Sequence, residues 1–581
     1  MRKIRTFCLL VFLCLIAVSG SVEKSYGNDF EQFKEYYIET FWSLNPGYAI
    51  YSGYHKYDSV LEIPNTENRA QKLKTLNALK DTLSHFNVAE MSVNMKTDYW
   101  MIRDQIESDI WYLTKFRSFE WNPANYNVGG VFAMIMNSDH APLDERLRVM
   151  SKRFKLVEEY YQTAKSNIKN PTKEHTELAI LQNKGSLGVF GDSFKDSIRG
   201  SDLSEKEKEF LLSQLGAARN SISEFLEYLN NKVKDTKSDD WRSFRIGIEL
   251  YEAKFRHDIV SRYSAKEIYE KAVQRKELLH DKMVNLSKKL WPKYMKDTPM
   301  PDEDIAVIKQ VIDKISLNHV HPDSFLVAIR KQIPELEKFV TDKNLIYLDP
   351  TKPLVVRQTP AYMEGSGAGA SISSPGPYDK YGNTYYNVSP LSGYSKEHAE
   401  SYLREYNHYI LQILNIHEAV PGHYTQLVYA NNSPSMIKSI FGNGAMIEGW
   451  AVYSELMMLE NGYGNHDDEM WLMYYKWHLR SVCNTILDYS VHVLNMNKDE
   501  AMQFLTKDAF QQQAEADGKW RRVKLSQVQL TSYFTGFREI YDLREAWKEK
   551  QGDKFKLREF HEQFLSYGSA PVRYIHALML E

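Results

Sequence analysis

The sequence predicts a mainly α-helical chain with one small β-sheet, on three observations. Apolar residues recur at helical spacing along most of the 581 residues. Proline, glycine and asparagine punctuate that pattern into separate helices. After Leu345 the character changes: Leu354-Val355-Val356-Arg357-Gln358 reads as a short strand ended by Pro360, and Tyr385-Tyr386-Asn387-Val388 reads as a segment that pairs with a nearby strand.

The first helix follows from Phe30, Phe33, Tyr36, Tyr37 and Phe41, and Asn45-Pro46-Gly47 stops it. Helices are predicted over residues 67–83, 93–115 and 143–167, with a loop at 122–127 and a break at Asn170-Pro171. Residues 172–229 and 241–290 are helical again, and the charged stretch 232–240 between them is a solvated turn. Pro292, Pro299 and Pro301 mark a lobe boundary between an N-terminal helical lobe, residues 20–290, and a C-terminal lobe, residues 300–581. Pro334 should kink or split the helix at 324–340. Residues 364–376 form a small-residue run without the Gly-Lys-Ser/Thr ending of a phosphate loop. Ser395 caps a helix predicted to run unbroken from Lys396 through Ile416 into His417 and Glu418. A packed helix pair ends the chain.

Composition excludes several function classes. Lys plus Arg number 73 against 76 Asp plus Glu, a net charge of -3, which gives no footprint for nucleic acid or a charged membrane surface. The 38 Tyr, 26 Phe and 11 Trp are scattered among polar residues, which suits helix packing and a cleft lining. At the N-terminus a basic head, Arg2-Lys3-Ile4-Arg5, precedes an apolar run from Phe7 to Val18 and small residues after it. That is the pattern of a secretory signal peptide, residues 1–19, and the run is shorter than a membrane span. The expected product is exported to the periplasm or the medium, with no stable membrane insertion after cleavage. Cys14 lacks the small residues a lipoprotein site carries in front of it. The mature chain keeps only Cys483, so no intrachain disulfide forms.

The stretch Ile416-His417-Glu418-Ala419-Val420-Pro421-Gly422-His423 holds two imidazoles and a carboxylate within seven residues. Neutral nitrogen ligands with a nearby carboxylate are the kit of a hydrolytic zinc site. In the familiar His-Glu-x-x-His spacing the histidines lie four apart; here Pro421 takes that place. Six residues of ideal helix turn through roughly 600°, so His423 would point about 120° away from His417. A bulge or kink at Pro421-Gly422 would bring it back. Glu448, in Glu448-Gly449-Trp450-Ala451-Val452-Tyr453-Ser454-Glu455, can supply a third protein ligand, and Gly449 leaves room for a neighbouring backbone beside it.

These residues resemble the His-Glu-x-x-Pro-Gly-His and Glu-Gly-Trp-Ala-x-Tyr-x-Glu motifs of a broad bacterial family, the DUF885 group. That group is similar to the thermolysin-like, glutamate-using metallopeptidase clan. The resemblance continues through Leu479-Arg480, Asp488, His492 and Tyr533-Phe534-Thr535-Gly536. It implies a large multi-helix metallopeptidase-like fold with a small β-sheet beside the active-site cleft. It also implies one Zn²⁺ per chain on His417, His423 and Glu448, with Glu418 as general base and Tyr533 as a donor to the oxyanion.

Other assignments stay open at this level. Glu455 either orients a ligand histidine or is a surface charge. Asp488 and His492, four apart on a helix, form either a tautomer-fixing hydrogen bond or a packed structural pair. Arg480 is a candidate for gripping a substrate carboxylate, with Arg521, Arg522 and Arg538 as competitors. His466 and His561 read as surface histidines. The small sheet offers an edge to an extended substrate or is a buried hairpin. The function expected is zinc-dependent hydrolysis of short peptides. Hydrolysis of esters or non-peptide amides is the alternative, as is a non-catalytic periplasmic binding protein with a degenerate site.

Overall fold

The computed structural model describes residues 29–359, 370–378, 383–433 and 435–580. The signal segment and residues 364–369 of the small-residue run lie outside the described residues. None of the described helices is long and apolar enough to cross a membrane.

The chain is mainly α-helical, with a three-stranded sheet. Helix starts obey local chemistry. Asp29 caps Phe30–Leu44 through the Gln32 N–H, and Ser204 and Ser264 form capping boxes with Glu207 and Glu267. One core gathers Tyr126, Phe132, Phe154, Tyr161, Phe190 and Phe225 from the stretch between residues 126 and 235. A larger core joins the first helix to much of the chain from Tyr251 onward and includes Trp42, Phe255, Trp450, Tyr474 and Phe560; a third, small one gathers Phe244, Leu487, Val491 and Leu505.

Helix α1 (Ala265–Met295) packs along the long buried helix that carries Arg480 and Asp488. The proline-rich connector after it joins α1 to Asp304–Ile315, and these two helices pack on each other. Pro334 does not split its helix: Phe325–Asp342 is continuous. Pro334 lies on the exposed side, where water can take the carbonyl its ring leaves unpaired.

In the sheet, β1 (Leu354–Gln358) runs parallel to β3 (Thr384–Val388), and β2 (Ala370–Ser373) pairs antiparallel with β3 on its other side. The Tyr385–Val388 segment is therefore the central strand, and the free edges belong to β1 and β2. The buried Tyr386 donates to Asn415 Oδ1 at 2.8 Å, tying the sheet to the helix that carries His417.

That helix, α2 (His408–Glu418), does not continue from Ser395. A first helix ends at Glu405, and Asn407 starts a new one by accepting from the Tyr409 and Ile410 N–H groups. The asparagine cap overrides the helical periodicity across the junction. Helix α3 (His423–Asn431) follows, then α4 (Gly444–Glu460), α5 (Asp468–His492), α6 (Gln513–Ser526) and α7 (Ser532–Gln551).

α4 and α7 touch backbone to backbone. A Cβ on Gly449 would lie 2.3 Å from Gly536 C, and one on Gly536 would lie 1.7 Å from Ala445 O. Only paired glycines permit that approach, and it brings the turn of α4 that carries Glu448 to the turn of α7 that follows Tyr533.

His561 is a core residue, not a surface one, with 0 % exposure. Its Nδ1–H donates to Leu345 O and its Nε2 accepts from Tyr453 O–H, both at 2.8 Å. Its periodic apolar neighbours Phe560 and Phe564 set that face inward. Burial pulls its pKa down to about 4. Because the folded value lies below the unfolded one, the stabilisation is complete above about pH 6.5 and is lost as pH falls towards 4. Urea titrations at pH 7 and 4.5 should show a loss of about 2 kcal/mol, and His561→Gln should flatten that part of the profile.

Candidate metal centre

α2 ends at Glu418, and the segment Ala419-Val420-Pro421-Gly422 turns the chain before α3 begins at His423. The break is complete, rather than a bulge inside one helix. The Val420–Pro421 peptide is cis, and Pro421 O accepts from the Trp450 indole at 2.8 Å. Gly422 folds back onto the end of α2: its N–H donates to Ile416 O, and a Cβ there would lie 1.9 Å from His417 O. The turn therefore delivers His423 to the side of His417, with ring centroids 4.7 Å apart and planes at 86°.

The ligating atoms of His417, Glu418 and His423 all lie within 4.8 Å of one another. From α4, Glu448 Oε2 approaches His417 Nε2 at 3.6 Å and His423 Nε2 at 3.4 Å. Those spacings are longer than hydrogen bonds. They match the edge of a tetrahedron whose corners lie about 2.0–2.2 Å from a central ion, roughly 3.3–3.6 Å.

Glu455, one face along α4, holds His417. Its Oε1 accepts from His417 Nδ1–H at 2.7 Å and from the Trp477 indole at 3.0 Å. This fixes the tautomer that leaves the Nε2 lone pair pointing at Glu448. Glu455→Ala should weaken zinc binding about 10–100-fold, measured by competition with a chromogenic chelator.

Electrostatics mark a place for a cation. Burial would lower the His417 pKa, but Glu448 and Glu455 outweigh it and raise it to about 10. Burial raises Glu418, His423 and His417 pull it back in part, and Glu448 raises it further. Burial also opposes ionisation of Glu448, yet the two histidines hold it far below the usual carboxylate range. Three carboxylates thus surround two imidazoles, and a dication fits both the charge and the donor chemistry.

Tyr533 lies on α7 three residues before Gly536, which packs on Gly449 beside Glu448. Burial raises its phenol, and the Glu448 charge raises it further. Its oxygen accepts from Arg522 Nη2 at 3.0 Å, so its own proton remains to donate.

Arg480 is engaged elsewhere, paired to Glu515 at 2.6 Å and stacked on Trp477. Asp488 and His492 do not bond to each other. Asp488 accepts from Tyr251 O–H and from the Val528 and Leu530 N–H groups, while His492 Nε2–H donates to Val523 O. Gln527 and Val528 hold φ of +29° and +67°, so Asp488 fixes the unusual turn that leads into Tyr533.

Sequence reasoning missed a second group, His55, Asp58 and His140. No short-range motif joins a connector to a distant loop, so nothing local announced it. Its imidazoles stack face to face at 3.4 Å, both facing Asp58 Oδ2, with their lone pairs in parallel planes. That geometry suits a shared ion less well than the perpendicular pair. Two cavities, of about 310 and 260 Å³, are lined by none of the residues of the metal centre.

Residues 46–579 match the family described as "Bacterial protein of unknown function (DUF885)". The chain belongs to the DUF885 family. A solved structure from Shewanella oneidensis, described as "a putative lipoprotein of unknown function", is similar to this DUF885 chain at 53% identity and TM-score 0.89, over 96% of this chain and 100% of that one. A structure from Colwellia psychrerythraea, described as "the putative lipoprotein", shares the fold at 17% identity and TM-score 0.76, over 94% of this chain and 98% of that one. No curated protein matches.

Proposed function

We propose that this DUF885 protein is an exported, zinc-dependent hydrolase of the helical metallopeptidase type that cleaves short peptides. The observation that carries the reading is the spacing of Glu448 Oε2 from both histidine Nε2 atoms, 3.6 and 3.4 Å, at the edge length of a tetrahedral site.

His417, His423 and Glu448 would hold the ion, which when bound supplies Lewis acidity towards a carbonyl and lowers the pKa of water. Glu418, whose raised pKa suits a proton carrier, takes a proton from the attacking water and delivers it to the leaving amine. Tyr533 donates its free O–H to the oxyanion. Export is supported by the signal pattern and by the description of both relatives as lipoproteins.

The test is a panel of short peptides, esters and non-peptide amides offered to zinc-reconstituted protein. Peptide cleavage abolished by a chelator supports the proposal, and cleavage confined to esters or other amides moves the substrate class. A second reading, a non-catalytic binding protein, is favoured by one observation: the names of the relatives carry no activity. It predicts no turnover anywhere in the panel.

A further inference from the structure

One guanidinium beside the metal centre has no acid to answer it. Arg522 on α6 donates through Nη2 to Gln529 Oε1 at 2.7 Å and to Tyr533 O–H at 3.0 Å, both neutral acceptors. Its Nε and Nη1 groups make no hydrogen bond, and no carboxylate lies within ion-pair distance of it, among the described residues. The competing arginines differ. Arg480 is paired to Glu515 at 2.6 Å, Arg538 is paired through two nitrogens to Asp542, and Arg521 is exposed beside Leu525.

The surroundings of Arg522 add positive charge. Glu515 is shared by Arg480 and by the buried Lys519, whose Nζ lies 3.7 Å away. Lys476 is already matched by Glu405 at 2.8 Å. Arg480 and Lys519 therefore share one carboxylate. Burial, and next the Arg480 charge, pull Lys519 down to about 7.

Tyr533 joins this corner to the metal centre: it accepts from Arg522 and lies three residues before Gly536, which packs against Gly449, the neighbour of Glu448. An unpaired planar donor fork, turned by its neutral partners and backed by surplus charge, is built to take a planar anion.

We propose that Arg522 forms a subsite for the free carboxylate of the substrate, so that bonds near the carboxyl end of short peptides are the ones presented to the metal centre. This rests on the hydrolase reading and deepens it. Arg522 acts as a specificity-determining residue, and Tyr533, held by it, is kept in position for the reacting carbonyl.

The experiment measures binding, so that it does not depend on turnover. Zinc-loaded full-length protein carrying Glu418→Gln is titrated calorimetrically with acetyl-trialanine and with its C-terminal amide. The free acid should bind at least about tenfold more tightly. Adding Arg522→Gln, which keeps a donor towards Tyr533, should remove that preference while leaving the affinity for the amide unchanged. Equal binding of acid and amide by the Glu418→Gln protein would overturn the proposal without reference to Arg522 variants. So would an acid preference that survives Arg522→Gln. If the acid preference holds but unsubstituted protein cleaves no peptide, the carboxylate subsite stands and the hydrolase reading fails.

Discussion

Glu418→Gln should lower peptide hydrolysis by about 10²–10⁴-fold while leaving the bound zinc in place. The amide is nearly isosteric with the carboxylate but cannot accept a proton from water, so the proton-transfer step is lost and the architecture is not. The two readouts are kcat on a cleaved peptide and zinc per chain after dialysis. Loss of zinc together with activity would make Glu418 a ligand instead, which its place among the three clustered donors allows as a distinct outcome. Unchanged kcat would remove Glu418 from the chemistry.

Gly422→Ala should be as damaging by a different route. The new methyl would lie 1.9 Å from His417 O and 2.3 Å from Ile416 O, both backbone atoms of the helix end that the turn folds against. The turn must open, and His423, the next residue, moves with it. Zinc retained after dialysis should fall from about one per chain to near none, with a stability loss of about 1–3 kcal/mol from overpacking. Far-ultraviolet circular dichroism should stay helical, because α2 and α3 are each packed into the larger core. Full zinc retention in this variant would show that the close turn does not set the ligand geometry.

These two residues also show what the sequence could tell. The spacing of His417 and His423 forbids one uninterrupted helix, and Pro421-Gly422 names the place of the interruption. The form of the break depends on Gly422 seating against α2 and on Trp450 holding Pro421 O, contacts between segments far apart in sequence. Glu455 was legible only as one of two options, because the periodicity that places it on the Glu448 face says nothing of the buried Trp477 that shares it. Helix caps were readable at Ser395 and missed at Asn407, where the apolar pattern on either side masked the asparagine.

The tyrosine corner was less legible. Asp488 four residues before His492 suggested a pair, but the carboxylate is taken by the Val528 and Leu530 N–H groups of a turn that only the tertiary fold brings near. Arg522 could be told from Arg480 and Arg538 by its lack of an acidic partner, and from the exposed Arg521 by its bond to Tyr533. His561 read as a surface residue because its charged neighbours are near in sequence, whereas its ring lies between Trp450, Tyr453 and Phe560.

The most direct test of the account is the crystal structure of the zinc-loaded protein, with data collected on both sides of the zinc absorption edge. The prediction is one anomalous peak per chain at about 2.0–2.2 Å from His417 Nε2, His423 Nε2 and a Glu448 oxygen. A peak held instead by His55, Asp58 and His140, or no peak at saturating zinc, would contradict it.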